Sequence, residues 1–311
     1  MLFTGRVRLF TLLFALAALL ALAGCAGQDI AVQPTREGAK ITPAKGAGQD
    51  LPAQPAGQAA EQKKEAGQNT PKVPRPELGV PAAEARTPAK GNKVAYLTFD
   101  DGPNSDYTER VLDILRQKKA KASFMVVGRN IRQNPTVLQR ILADGHAVIN
   151  HTSSHDYNII YQSAESFIAD LDECSQVITR YTGSPAMIFR APGGPDKLNR
   201  DFTEKLRKRG YISVGWNISA VDSDPHGVSA TQVYNNIAGG LERVEKLRLT
   251  PIILMHDGTQ LTTTQAAPGS ALAIYIQNRE ATLSALPKVI DHFHGKGYKF
   301  VVVDEHTPPA W

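Results

Sequence analysis

The stretch VAYLTFDDGPNS, Val94 to Ser105, decides how the fold is read. Val94 to Phe99 is a short and nearly continuous apolar run, the pattern of a strand covered on both faces. Gly102-Pro103 closes it with turn chemistry. Between them stand two adjacent acids, Asp100 and Asp101. Neighbouring strand residues point to opposite faces, so the two carboxylates would diverge unless the turn swings the second one round.

Six further runs of the same kind follow: ASFMVV, HAVIN, AMIFR, YISVGWN, PIILMH and YKFVVV. Amphipathic patterns predict helices between them, near 106–118, 134–143, 163–181, 199–209, 229–247 and 279–295. Asn134 before Pro135, and Ser163 before its apolar series, are start signals. Seven strands separated by helices imply an α/β fold with a parallel sheet, open or closed into a barrel. Catalysts in such folds gather where strands end at their C-terminal edge. Asp100 and Asp101 stand at such an end, as do His151 with His155 beyond it, Arg190, and His256, while YISVGWN leads toward Asp222. Five strands thus deliver ionisable side chains to one rim.

Working outward, the N-terminus carries Arg6 and Arg8 before LFTLLFALAALLALAGC, the charged and apolar regions of a secretory signal. Ala26 to about Gly91 is rich in Ala, Gly, Gln, Pro and Lys, and cannot bury enough apolar surface to offset its ordering entropy. It reads as a flexible tether. The net charge of +5 lies in these segments, because from residue 92 onward 24 basic residues face 23 acidic ones. Without a basic stripe interleaved with aromatics, nucleic acid binding is not expected. Cys174 falls in the series Phe167, Leu171, Cys174, Ile178, Tyr181 and reads as a buried, inert thiol.

His151 and His155 in HTSSH are four apart, a spacing that on a helical turn lets both imidazoles share a cation. With a carboxylate from another strand end they make a two-His, one-carboxylate site with open positions for water and substrate.

TFDDGP (98–103), HTSSH (151–155), RAPGG (190–194), the segment Trp216 to Asp222, and LMH (254–256) resemble, in order, the five motifs of NodB-type polysaccharide deacetylases, carbohydrate esterase family four. The resemblance covers roughly residues 92 to 304. It implies a distorted (β/α) barrel of about seven parallel strands and a metal-dependent deacetylase of N-acetylated polysaccharide. It further implies that Asp101, His151 and His155 ligate a divalent metal of zinc type, with cobalt, nickel or manganese as alternatives. Asp100 is then the general base, and Gly193 the oxyanion donor through its backbone N–H. His256 is the general acid, Arg190 and Asp222 hold Asp100 and His256 in place, and Leu254 lines the acetyl-methyl pocket.

LAGC resembles a bacterial lipobox, which implies cleavage before Cys25 and lipid attachment to it. The resulting organisation is a signal peptide (1–24), lipid anchor and tether (25–91), deacetylase domain (92–306) and short tail (307–311). An extracytoplasmic, membrane-anchored monomer is expected. Gly193 stands where the arginine motif usually has an aromatic residue, and Ser219 and Ser223 replace a common acid and a frequent tryptophan. The PGG form and the context of Asp222 look closest to the peptidoglycan deacetylase branch, with poly-N-acetylglucosamine or chitooligosaccharide as the alternative substrate and a catalytically silent glycan-binding lipoprotein as the rival from another class. His146 reads as structural, Asp257 as a loop cap, His292, His294 and His306 as non-ligands, and Gly258 to Asn278 as a long loop that could wall the substrate site.

Overall fold

The structure is a computed structural model that describes residues 93–258 and 266–310. The signal peptide, the tether and Cys25 lie outside the described residues.

In chain order the elements are β1 (Lys93–Asp100), α1 (Tyr107–Lys118), β2 (Ser123–Val126), α2 (Gly128–Gln133), α3 (Pro135–Ala143), β3 (Ala147–Asn150), α4 (Tyr157–Ile160), α5 (Ala164–Thr182), β4 (Ile188–Phe189), α6 (Arg200–Lys208), β5 (Ile212–Ser213), β6 (Ile218–Ser219), α7 (Ala230–Lys246), β7 (Ile252–His256), α8 (Ala271–Gly295) and β8 (Tyr298–Phe300). All pairings are parallel. The order is β5-β4-β3-β2-β1-β7-β6, with β8 beside the first half of β1. No pairing joins β5 to β6, so the curled sheet is a distorted, incompletely closed β/α barrel.

β1 shows how the layers are set. Ala95, Leu97 and Phe99 enter the core between sheet and helices, together with Leu112, Phe124, Ile253 and Phe293. Tyr96 belongs to a separate cluster on the other face, with Met125, Ile149 and Ile252. Thr98 and Asp100 share its side by the two-residue period, and both meet Arg190 there. One strand therefore builds the hydrophobic layer with its odd residues and the site with its even ones.

The expected helices start and stop close to where the periodicity predicts except for α8, and the short α2 and α4 were not expected. Asn134 makes no side-chain cap. Its amide instead donates to the carbonyls of Pro103 and Asn130, tying α3 to the Gly102-Pro103 turn. Ser163 does cap α5, accepting from the Ser166 N–H at 3.1 Å. Helix α8 begins at Ala271, eight residues before its expected start, with Ser270 as N-cap, so much of the supposed loop is helical. The run YISVGWN is not one strand: its first half pairs with β4, and the chain then crosses to pair as β6 with β7. Residues 307–310 pack into the domain, where the Asn217 amide donates to the Ala310 carbonyl at 2.9 Å.

Candidate active site

The five-strand rim is real, and each side chain reaches it for a local reason. Asp100 is the last residue of β1, in register with His256, the last of β7. Asp101 has φ +77°, the left-handed region. That reversal overrides strand alternation and returns the second carboxylate to the side of the first. The loop is held by the Asn130 amide on the Asp101 carbonyl at 2.7 Å and by the Asp101 N–H on the Met125 carbonyl at 3.2 Å.

His151 follows β3, and its N–H donates to the Val126 carbonyl. The expected helical turn between His151 and His155 is absent. Residues 151–156 form a loop in which Thr152 (φ +70°) and His155 (φ +52°) are both left-handed. Such conformations cost energy, above all for β-branched Thr152, and persist where surroundings over-determine them. Here the Asp170 carboxylate of α5 accepts from the N–H groups of Ser153 and Ser154 at 2.5 and 2.9 Å, and Asn150 Oδ1 accepts from Thr152 at 2.9 Å. The histidines meet because this turn is pinned, and helical spacing has no part in it.

Asp101 Oδ1 lies 3.2 Å from His155 Nε2 and 3.5 Å from His151 Nε2. One ligand atom from each of the three lies within 4.8 Å of the others, and no other such cluster occurs among the described residues. His151 Nδ1 is 2.8 Å from the Arg190 carbonyl. With Nδ1 engaged there, Nε2 is the ring nitrogen that faces Asp101 and the one a metal would meet. Burial would raise the Asp101 carboxyl, but hydrogen bonds from the two imidazoles hold it well below the usual carboxylate range. Two imidazole nitrogens and one carboxylate oxygen, pre-oriented and partly open, are a donor set that fits a divalent metal ion.

Arg190 is fully buried and spends its donors on the site floor: Nη1 on Asp100 Oδ1 at 2.8 Å and Thr98 Oγ1 at 2.7 Å, Nη2 on the Gly215 carbonyl at 2.8 Å, Nε on the Val214 carbonyl at 3.3 Å. Asp100 is thereby held in place, its Oδ2 3.7 Å from His151 Nε2.

On the opposite side Asp222, buried after β6, accepts from His256 at Nδ1 (2.7 Å) and at the backbone N–H (2.9 Å). Two partners escape sequence reading. Thr282 Oγ1 donates to Asp222 Oδ2 at 2.7 Å, and buried Arg279 Nη1 stands 3.3 Å from the same oxygen. Burial would raise Asp222, but His256, Arg279 and Thr282 prevail and hold it at about 2. Burial likewise works to lower His256, but the Asp222 charge wins and raises it above the ordinary histidine value. Asp224 turns to His226 instead.

Asp100, Asp101, His151, His155, Gly193, Leu254 and His256 line one open cleft of about 540 Å³, with Tyr157, Trp216, Ser219, Ser223 and Tyr275. A carboxyl group held by a buried arginine, a cation site and an imidazole paired with a buried carboxylate around one cleft are suited to hydrolysing an acyl bond.

A family model described as polysaccharide deacetylase matches residues 87–214. A peptidoglycan-N-acetylglucosamine deacetylase of Bacillus cereus is 30% identical over 213 residues, covering 68% of this chain and 87% of that protein. The chain belongs to the polysaccharide deacetylase family. It is a deacetylase by family and by site, and its fold is that of solved members. A crystal structure of a polysaccharide deacetylase from Bacillus cereus superposes with a TM-score of 0.57 at 27% identity, over 70% of this chain and 96% of that one. The catalytic domain of a peptidoglycan N-acetylglucosamine deacetylase from Eubacterium rectale gives a TM-score of 0.57 at 30% identity, over 74% and 97%.

The other conspicuous residues sort themselves around this deacetylase site. His146 is structural: its Nδ1 accepts from the Ala122 N–H at 3.2 Å, and burial, then Lys121, push it down to about 4. Cys174 is fully buried and free, its thiol pushed up to about 12 by burial. His292 bonds Tyr234, while His294 packs on Phe300. Asp257 is no solvated cap: it is 1% exposed and accepts from Thr108 Oγ1 at 2.5 Å.

Proposed function

We propose that this deacetylase removes acetyl groups from the amino sugars of peptidoglycan, using a zinc-type ion at Asp101, His151 and His155, from an extracytoplasmic position on a lipid anchored through Cys25. The observation that carries the reaction is the placement of Asp100 with Arg190 on one side of the donor set and His256 with Asp222 on the other, around one cleft. The name of the Bacillus cereus relative supports the substrate. A chitooligosaccharide deacetylase of Rhizobium leguminosarum bv. trifolii, 28% identical over 203 residues, 65% of this chain and 86% of that protein, supports a second reading in which soluble oligomers are used.

The bound ion supplies Lewis-acid polarisation of the acetamido carbonyl and makes water a nucleophile near neutral pH. Asp100, aimed by Arg190, accepts the proton of the attacking water. The exposed Gly193 N–H donates to the developing oxyanion. His256, charged because Asp222 favours the imidazolium, gives its proton to the departing sugar amine. Leu254, buried in β7 at the cleft floor, bounds the space for the acetyl methyl.

The test is acetate release from purified peptidoglycan, chitooligosaccharides and poly-N-acetylglucosamine, with and without a chelator. Chelator-sensitive release, highest from peptidoglycan, is expected. Preference for soluble oligomers selects the second reading, and no release from any glycan overturns both. For the anchor, Cys25→Ser should move the protein out of the membrane fraction, and unchanged fractionation would refute lipidation there.

A further inference from the structure

Gly193 lines the cleft and is exposed, while Gly194 beside it is buried. Both residues have positive φ, +74° and +102°. An ideal Cβ at Gly193 would lie 2.8 Å from the Tyr157 hydroxyl oxygen, and one at Gly194 would lie 2.7 Å from the Trp216 ring. No side chain fits either place without displacing an aromatic. Each glycine therefore leaves room for one ring, Tyr157 of α4 at Gly193 and Trp216 at Gly194.

Tyr157 is the ring that nothing in the reaction accounts for. It opens α4 just after the metal-ligand loop and lines the cleft, yet 42% of it is exposed. Its ring is packed edge-on against His155 at 5.7 Å and at a tilt against Tyr161 at 5.5 Å between centroids. Tyr161 in turn is fixed by its hydroxyl on the Pro192 carbonyl at 2.5 Å. The Tyr157 hydroxyl has no hydrogen-bond partner among the described residues. A large ring immobilised by neighbours, partly exposed in a polar cleft, with an unspent hydroxyl beside the Gly193 amide, has the form of a ligand contact. Tyrosine suits a sugar: the ring covers an apolar C–H face while the hydroxyl meets the ring's oxygens.

We infer that Tyr157 is a substrate-binding residue of this cleft, its ring carrying the apolar face of the acetamido sugar and its hydroxyl donating to a sugar oxygen. The inference rests on the glycan reading above. It also explains the bare glycine at 193: Tyr157 supplies from α4 the aromatic wall that the loop after β4 does not.

The experiment compares wild type, Tyr157→Phe and Tyr157→Ala by calorimetric binding of N-acetylglucosamine tetramer, with metal content and hydrolysis of 4-nitrophenyl acetate measured on the same preparations. Tyr157→Ala should weaken tetramer binding about tenfold, the scale of one well-placed aromatic contact. Metal content should match wild type, and hydrolysis of the sugar-free ester should fall by less than tetramer affinity does. Tyr157→Phe, which removes only the hydroxyl, should fall between. Unchanged affinity in Tyr157→Ala overturns the inference. So does a parallel fall in metal content, ester hydrolysis and affinity, which would make Tyr157 a brace for His155 alone. Acetate release by wild type is read separately, so a tetramer that binds without turnover counts against the reaction assigned to glycans while the affinity ratio still decides Tyr157.

Discussion

The Asp222 carboxylate holds His256 at two points, one oxygen on the imidazole Nδ1 at 2.7 Å and the other on its backbone N–H at 2.9 Å. The ring therefore cannot rotate away from its counter-ion, and Nε2 is left as the atom that faces the cleft. Asp222→Asn should keep metal and substrate binding but move the alkaline limb of the kcat/KM profile to lower pH. The sign follows from charge: without the anion the imidazolium is less favoured, so the acid form disappears earlier as pH rises. The rate should fall by about 10²-fold, the scale of one acid-base contribution. A pH-rate profile that keeps both height and position would sink the pairing.

Arg279 makes the opposite test available. Its guanidinium lies on the far side of Asp222 and opposes the charge on His256. In Arg279→Gln the alkaline limb should move up in pH, while Tm falls sharply because Asp222 loses a buried partner, a loss of about 3–5 kcal/mol. Arg279→Lys should restore part of the stability. Limbs that shift the same way in Arg279→Gln and Asp222→Asn would show that rearrangement, and not charge, controls His256.

The rim was legible because each of its residues is tied to an apolar run, and a parallel β/α sheet brings strand ends together whatever the loops do. His151 and His155 were found for a reason the structure does not share. The pair is made by left-handed turns at Thr152 and His155, pinned by Asp170, and nothing local in HTSSH distinguishes that from a helical turn. Arg279 and Thr282 fall within the helix expected at 279–295 and were still missed, because nothing local ties a helix residue to the Asp222 carboxylate. A signal did exist. Arg279, Thr282, Leu286, Ile290 and Phe293 share the buried face of α8, and an arginine on an apolar stripe calls for a carboxylate partner. Tyr157 could not be read at all, since its role depends on a contact with a loop 36 residues away.

The two neighbouring aspartates should separate by metal content. Asp101→Asn removes the anionic member of the donor set, and its metal affinity should drop by more than the about 10- to 100-fold typical of losing an outer-shell partner. Asp100→Asn should bind metal like wild type and lose turnover, because Arg190 holds that side chain apart from the ligand atoms. Elemental analysis after dialysis against a graded chelator distinguishes them, and equal metal content in both variants would refute the division.

Asp257 makes a stability prediction whose sign can be fixed. One carboxylate oxygen accepts from Thr108 Oγ1, which itself accepts from the Asn104 N–H at 2.8 Å, while the other oxygen is buried without a partner. Burial, with Asp101 and Asp100 nearby, pushes the group up to about 7. A carboxyl whose folded value is raised favours the unfolded chain once it ionises there, near the ordinary carboxylate value of about 3.9. The penalty then grows with pH until the folded group ionises too. Asp257→Asn has no such titration and preserves the acceptor for Thr108. In metal-free protein its Tm relative to wild type should therefore rise steadily from about pH 4 to about pH 7 and level off above that. The shape of the difference curve is the readout, because a merely structural loss would lower Tm by the same amount at every pH. A difference independent of pH would mean that Asp257 ionises in the folded domain as readily as in the unfolded chain.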